Sequence, residues 1–144
     1  MWQRIQNLYL GISAGLIIAM FFCRYATIIG PSGSETCIYY YEKMPFLVLL
    51  IMLTSSHVAS VGCYKSFMLQ ARVSIIGAFL ALGFQCWMAI DYFSYKDQMV
   101  FSFTMLFPLA AAVLDFMAAK RNMVDEMTLT AIKGVKKSRR NRKK

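Results

Sequence analysis

Residues 44–64 read MPFLVLLIMLTSSHVASVGCY, twenty-one residues without a charge and with the chain's single histidine inside them. As an α-helix they would rise about 31 Å, the thickness of the hydrocarbon layer of a bilayer. Three further charge-free runs surround this one: 19 residues over 5–23, 18 over 73–90 and 17 over 98–114. Four such runs in 144 residues leave no room for a water-soluble core. The predicted fold class is therefore an all-α integral membrane protein with four transmembrane helices, at about 5–23, 44–64, 73–93 and 98–119. Together they make a transmembrane domain over 1–119, followed by a helical extension over 120–133 and a disordered polybasic tail over 134–144.

The net charge of +9 suggests a nucleic-acid binder until it is located, because ten of the sixteen basic residues lie at or beyond Lys120. Basic residues favour the cytoplasmic side of short membrane loops. With both termini inside, 13 basic residues are cytoplasmic against three outside, namely Arg24, Lys43 and Lys96. The first segment is a poor cleaved signal, since Arg24 or two phenylalanines stand where a small residue is needed. Tyr and Trp favour the headgroup layer, which predicts an outer ring of Tyr25, Tyr39, Tyr40, Tyr41, Tyr92 and Tyr95 and an inner one of Trp2 and Tyr64.

Connections over Lys65–Arg72 and Asp91–Asp97 are short, which forces an up-down-up-down bundle. Only the outer segment from Arg24 to Lys43 is long, and its GPSGSET (Gly30–Thr36) is turn chemistry. Its flanks YATII and CIYYY are rich in β-branched and aromatic residues and suit a small hairpin. The sequence carries no internal or inverted repeat.

Three stretches, WQRIQNLYL (2–10), YKSFMLQARV (64–73) and FPLAAAVLDFMAAKRNMVDEMTL (107–129), resemble a family of small four-helix membrane proteins from Bacteroidetes-type bacteria whose function is unknown. The resemblance covers most of the chain and implies a multi-pass location in the bacterial inner membrane. It implies no activity and supplies no functional residues. Beyond Leu129 the basic run is more extreme than the family pattern.

Within the membrane, TSSHVAS places Ser56, His57, Ser60 and Tyr64 on one helical face. Ionisable groups at that depth are costly and turn toward the bundle interior. The expectation for His57 is a neutral imidazole hydrogen-bonded to a serine or a backbone carbonyl; the alternative is a proton relay or polar-ligand site in a small transporter or channel component. Asp115 is expected in a salt bridge at the bundle edge, with Arg4, Lys65, Lys120 or Arg121; an approach to His57 is the alternative. With no second histidine and no nearby second carboxylate, no catalytic pair, metal site or cofactor is expected. Four scattered cysteines lack the Cys-x-x-Cys spacing of thiol exchange. Cys23 and Cys37, both on the outer side, are candidates for a structural disulfide.

Small residues let helices approach in lipid, so Gly11 and Gly15, and Gly77 with Ala81, are expected at packing contacts, inside the bundle first and between copies second. Pro108 is expected to kink the fourth helix, with Thr104 helping to satisfy the freed carbonyl. At the end of the chain, Lys133, Lys136, Lys137, Arg139, Arg140, Arg142, Lys143 and Lys144 are expected to bind anionic phospholipids at about 1 kcal/mol each. Ribosomal RNA is the weaker expectation, because the run has no aromatic residue to stack on bases. The function expected is a non-enzymatic accessory or packing subunit, associated with another membrane protein or with a second copy of itself.

Overall fold

The computed structural model describes residues 3–29, 34–63 and 66–141. Four helices dominate: α1 (Gln3–Met20), α2 (Met44–Gly62), α3 (Phe67–Tyr95) and α4 (Phe107–Asn141). Three strands, β1 (Arg24–Ile29), β2 (Glu35–Tyr39) and β3 (Met99–Phe101), form one small antiparallel sheet in the order β2-β1-β3. α1 packs against α2 and α4, α2 against α3, and α3 against α4, so the four close into a ring. The sheet lies at one end of the bundle, and α4 projects from the other. These are called here the sheet end and the tail end.

The expected hairpin is present, with Thr27 opposite Cys37 and Ile28 opposite Thr36. Its third strand is a correction to the predicted helix at 98–119. Residues 99–101 pair with Ala26–Ile28 of β1, a 3-10 turn follows at Phe103–Leu106, and the helix begins only at Phe107. Pro108 is consequently the second residue of α4, where a missing N–H costs nothing, and it kinks no membrane span. Thr104 has another task, donating to Arg24 O at 3.0 Å.

Two helices run past the predicted ends. The link predicted at 65–72 is mostly the first turns of α3, and Arg72 extends from that helix into solvent. A charge-free gap measures the hydrocarbon layer, whereas backbone hydrogen bonding continues through good helix formers such as Met, Leu, Gln and Arg. α4 likewise continues through Gly134 to Asn141, so the segment expected to be disordered is helical as far as it is described. Lys and Arg propagate helix well, and positive charge suits a helix C-terminus, which offsets the ~1 kcal/mol cost of the glycine. Arg139 and Arg140 fall in this helix, although their side chains and that of Arg4 lie outside the description, as do Trp2, Gly30, Tyr64, Lys65, Arg142, Lys143 and Lys144 altogether.

The sheet end is closed by aromatic rings. Tyr25 sits edge-on to Tyr40, Phe46 and Phe101 with ring centroids 5.3, 5.1 and 5.4 Å away, and Phe46 meets Phe84 at 5.5 Å. Around them Ile17, Met20, Leu50, Leu53, Met88 and Met105 are buried. Tyr25 and Tyr40 are thus core residues and not belt residues, which corrects part of the predicted outer ring; Tyr41, Tyr92 and Tyr95 are the exposed members. Asp91 fixes this end, accepting from Lys43 Nζ at 2.7 Å and from the Tyr25 hydroxyl at 3.2 Å. Tyr40 donates to Thr104 Oγ1 at 3.0 Å, because the threonine's own hydrogen goes to Arg24 O. Burial pushes the Tyr40 phenol up to about 12.

Cys23 and Cys37 are free thiols, and the sheet register explains why. Cys37 faces Thr27, four residues beyond Cys23, which precedes β1; at ~3.4 Å per residue that is about 14 Å and beyond disulfide reach. The glycines divide just as clearly. Gly77 and Ala81 are buried at a helix contact, but a side chain added at Gly11 or Gly15 would meet nothing, so that pair packs against no part of this bundle.

The bundle's outer surface is apolar on every helix, with Ile12, Ile18, Val48, Ile51, Ile76, Phe79, Ile90, Val113 and Phe116 exposed. The stretches Met44–Gly62, Phe67–Tyr95 and Phe103–Lys137 are long and apolar enough to cross a membrane; the apolar part of α1, Ile5–Met20, is shorter.

Candidate functional site

His57 reaches the bundle interior because α2 disposes of its other polar groups locally. Thr54 donates to Leu50 O and Ser55 to Met52 O, the back-bonding that lets hydroxyls sit in an apolar helix. His57 uses the same device with Nδ1, 2.7 Å from Leu53 O one turn earlier. That bond fixes the ring and aims Nε2 across the bundle. There it meets Ser13 Oγ of α1 at 2.8 Å and Asp115 Oδ2 of α4 at 3.0 Å.

Each helix contributes a reason for this meeting. In α1, Ser13 lies 200° around the helix from both Gly11 and Gly15, so burying the serine turns the glycines outward. In α3, Gly77 lets the backbone come close: a Cβ there would stand 3.3 Å from Ser56 Oγ, 3.4 Å from Asp115 Oδ2 and 3.9 Å from His57 Cε1. In α4, Asp115 lies on the buried face with Ala111, Ala112, Ala118, Ala119 and Asn122. The histidine and aspartate side chains are only 2 % and 1 % exposed. The partner expected for Asp115 is therefore corrected from a cation at the bundle edge to His57. Lys120 is exposed, and proximity across α2 and α4 decides the pairing.

A carbonyl oxygen only accepts, so Nδ1 carries a hydrogen in any state that keeps the Leu53 bond. Ser13 donates to Ala111 O at 3.3 Å and can then accept from Nε2. Oδ2 makes a close charge contact at the same nitrogen, with the serine in the nearer position. Serine, histidine and aspartate together invite comparison with a hydrolytic triad. In a triad, however, the carboxylate binds the nitrogen opposite the one that faces the serine. Here both partners crowd Nε2 and a backbone carbonyl holds Nδ1, so aspartate cannot orient the ring as a triad requires. What remains is an Nε2 held by the Ser13 hydroxyl with a buried carboxylate oxygen beside it as a charge partner.

Below this cluster, toward the tail end, polar side chains continue. Ser60, one turn from His57, is 2.8 Å from Ser74, which donates to Gln70 O at 2.8 Å. Gln70 Nε2 donates to Asn7 Oδ1 at 3.0 Å, and Gln6 donates to Asp125. Asn122, two turns below Asp115, is fully buried with neither its amide nitrogen nor its oxygen bonded to a described residue; neither Asp115 oxygen has a hydrogen-bond partner among them, and Oδ1 lacks even the charge contact that Oδ2 makes with His57.

Of the residues singled out from sequence, His57, Ser60 and Asp115 lie in or beside this cluster and Ser56 borders Gly77. Tyr64 lies outside the described residues. Ser13, Ser74, Gln70, Gln6, Asn7 and Asn122 were missed. Their signal was spacing: Gln6 and Ser13 are seven apart, as are Asp115 and Asn122, and Gln70 and Ser74 are four apart, so each set shares a face. Among the described residues, no three His, Cys, Asp or Glu side chains gather as metal ligands would.

Apolar outside and polar at one place within, the molecule is a helical membrane protein. The chain belongs to the family defined by a domain of unknown function (DUF4293), whose model matches residues 2–133. Comparison with curated proteins and with solved structures gives no match.

Proposed function

We propose that this is a non-enzymatic, multi-pass protein of a bacterial inner membrane, acting as an accessory or packing subunit. In this reading all four helices cross, in up-down-up-down order, with α1 as the shortest span and both ends in the cytoplasm. The observation that carries it is the continuous apolar exterior joined to a basic helix that projects beyond it. Lipid or another apolar helix satisfies the first, and anionic headgroups the second. The outward face bearing Gly11 and Gly15 suits a close helix neighbour, either a second copy or another membrane protein.

Two measurements test this. A cysteine at Ser138 should be shielded from an impermeant thiol reagent in intact cells while Ser32→Cys is labelled; the reverse pattern overturns the orientation. Purification in mild detergent should then bring down a stable membrane partner or a dimer. Replacing Lys133, Lys136, Lys137, Arg139 and Arg140 by Gln should free the tail from anionic nanodiscs without changing what copurifies. If that variant instead strips ribosomes from the membranes, the tail is an RNA tether and the lipid reading fails.

A further inference from the structure

The His57–Asp115 cluster is more than a packing contact, and the distribution of polar groups around it says in which direction. Toward the sheet end, Ile17, Leu50, Leu53, Phe46 and Phe84 make the interior apolar up to the Tyr25–Tyr40 layer, interrupted by the buried Gln85 Oε1, which has no hydrogen-bond partner among the described residues to continue a path. Toward the tail end, hydroxyls and carboxamides recur about one helical turn apart: Ser60 with Ser74, Gln70 with Asn7, Asn122, and Gln6 with Asp125. One turn is ~5.4 Å, a gap a single water molecule bridges. The interior is a polar seam open in chemistry to one end and closed at the other by rings.

We propose that His57 and Asp115 form an intramembrane proton-binding site that exchanges with the aqueous phase at the tail end only. In the loaded state the proton sits on Nε2 and is donated to Ser13 Oγ, which donates to Ala111 O, while the Asp115 carboxylate lies 3.0 Å from Nε2 as its counterion and the pair is neutral overall. On release, that proton passes to the seam, the Ser13 hydroxyl turns to donate to Nε2, and Asp115 is left as a carboxylate with net charge −1. The unpartnered Oδ1 is where the returning proton, or the water that carries it, first finds an acceptor. The fully buried Asn122 carboxamide, facing the same interior and able both to donate and to accept, is the step between Oδ1 and the tail end.

The groups facing the pair are few. α1 offers Ser13, α2 offers Ser56 and Ser60, α3 offers Ser74 and the Gly77 backbone, and α4 offers Asp115 and Asn122. Among the described residues Asp115 is the one ionisable side chain in contact with His57. Arg72, Lys120 and Arg121 are exposed toward the tail end, Asp125 is held by Gln6, and Tyr9 is half-buried.

This inference is independent of the accessory role and has its own readout. His57 is the only histidine, so nitrogen-labelled histidine reports a single imidazole in the full-length protein. The protein is reconstituted in vesicles captured by a tag on the tail, so that every tail end faces the same bath. The Nε2 signal should follow the pH of that bath and ignore the pH on the other side. Asp115→Asn should move the midpoint, and Asn122→Leu should slow Nε2 proton exchange by an order of magnitude, both with wild-type helicity and elution. An imidazole signal unchanged at every pH, one that follows the sheet-end bath, or exchange unaffected by Asn122→Leu would overturn the proposal. A midpoint that moves with sodium concentration in place of pH would assign the site to a metal cation and overturn it too.

Discussion

Cut at the level of Ser13 and Leu53, the bundle separates into halves held together in different ways. The sheet-end half packs aromatic rings, leucine and methionine around Tyr25, and many contacts of similar strength share the burden. The tail-end half uses polar side chains, most with one or two specific partners, and Asn122 with none among the described residues. In lipid these two schemes have unequal consequences. Apolar packing degrades gradually when an atom is lost, whereas a buried polar group that loses its partner has no water to turn to. The polar half is therefore the less forgiving one, although it buries the smaller side chains.

That contrast can be broken first at its centre. His57→Leu leaves the Asp115 carboxyl buried and alone, with an expected loss of about 3–5 kcal/mol on unfolding in mixed micelles. The double change His57→Leu with Asp115→Leu should recover most of it; a double mutant as unstable as the sum of the two single ones would show that the pair is not coupled. In the sheet-end half, Leu50→Ala should cost about 2–5 kcal/mol through the cavity it leaves. No second change nearby should restore that loss by removing a partner, which is how the two halves are told apart.

Smaller effects sharpen the comparison. Gly77→Ala should cost about 1–3 kcal/mol, because its Cβ would stand 3.3 Å from Ser56 Oγ and 3.4 Å from Asp115 Oδ2, so the serine must give by a few tenths of an ångström in a packed interior. Gly11→Ala has open space and should be neutral or stabilising by up to ~1 kcal/mol, since alanine is the better helix former. Equal penalties at the two glycines would contradict the burial pattern. At the sheet end, the Tyr40 phenol is neutral in the fold up to about 12, above the ~10 of an unfolded tyrosine. Its stabilising effect is therefore complete below pH ~10 and lost as pH rises through about 12. Tyr40→Phe should lessen the alkaline loss in melting curves while changing little at neutral pH, the remainder coming from the Tyr25 phenol, which burial and Asp91 also push up.

The absence of charge over 44–64 made the helices legible, because a bilayer tolerates so few charges that gaps of this length mean one thing. Helix ends were less legible, since Arg72 and Asp91 lie within α3 and the backbone ladder does not stop where hydrocarbon does. β3 was hidden for a related reason: Met99–Phe101 is as apolar as a membrane span, and only its pairing with β1 makes it a strand. His57 and Asp115 stood out as rare ionisable groups. Their pairing stayed open, because it depends on how α2 and α4 rotate against each other, and a Cβ at Gly77 on a third helix would lie within 4 Å of both side chains. Asn122 looked like part of a surface extension because it follows Lys120 and Arg121; only its phase, seven residues from Asp115, ties it to the interior.

α4 is one unbroken rod of 35 residues with Asp115 near one end and the basic segment at the other. From Asp115 to Asn141 the helix runs about 39 Å. Pivoting such a rod by ten degrees about Asp115 carries its far end through about 7 Å, most of the Debye length of ~8 Å over which headgroup charge is felt. Any tilt of α4 where it meets α2 would thus be magnified along the rod to its basic end.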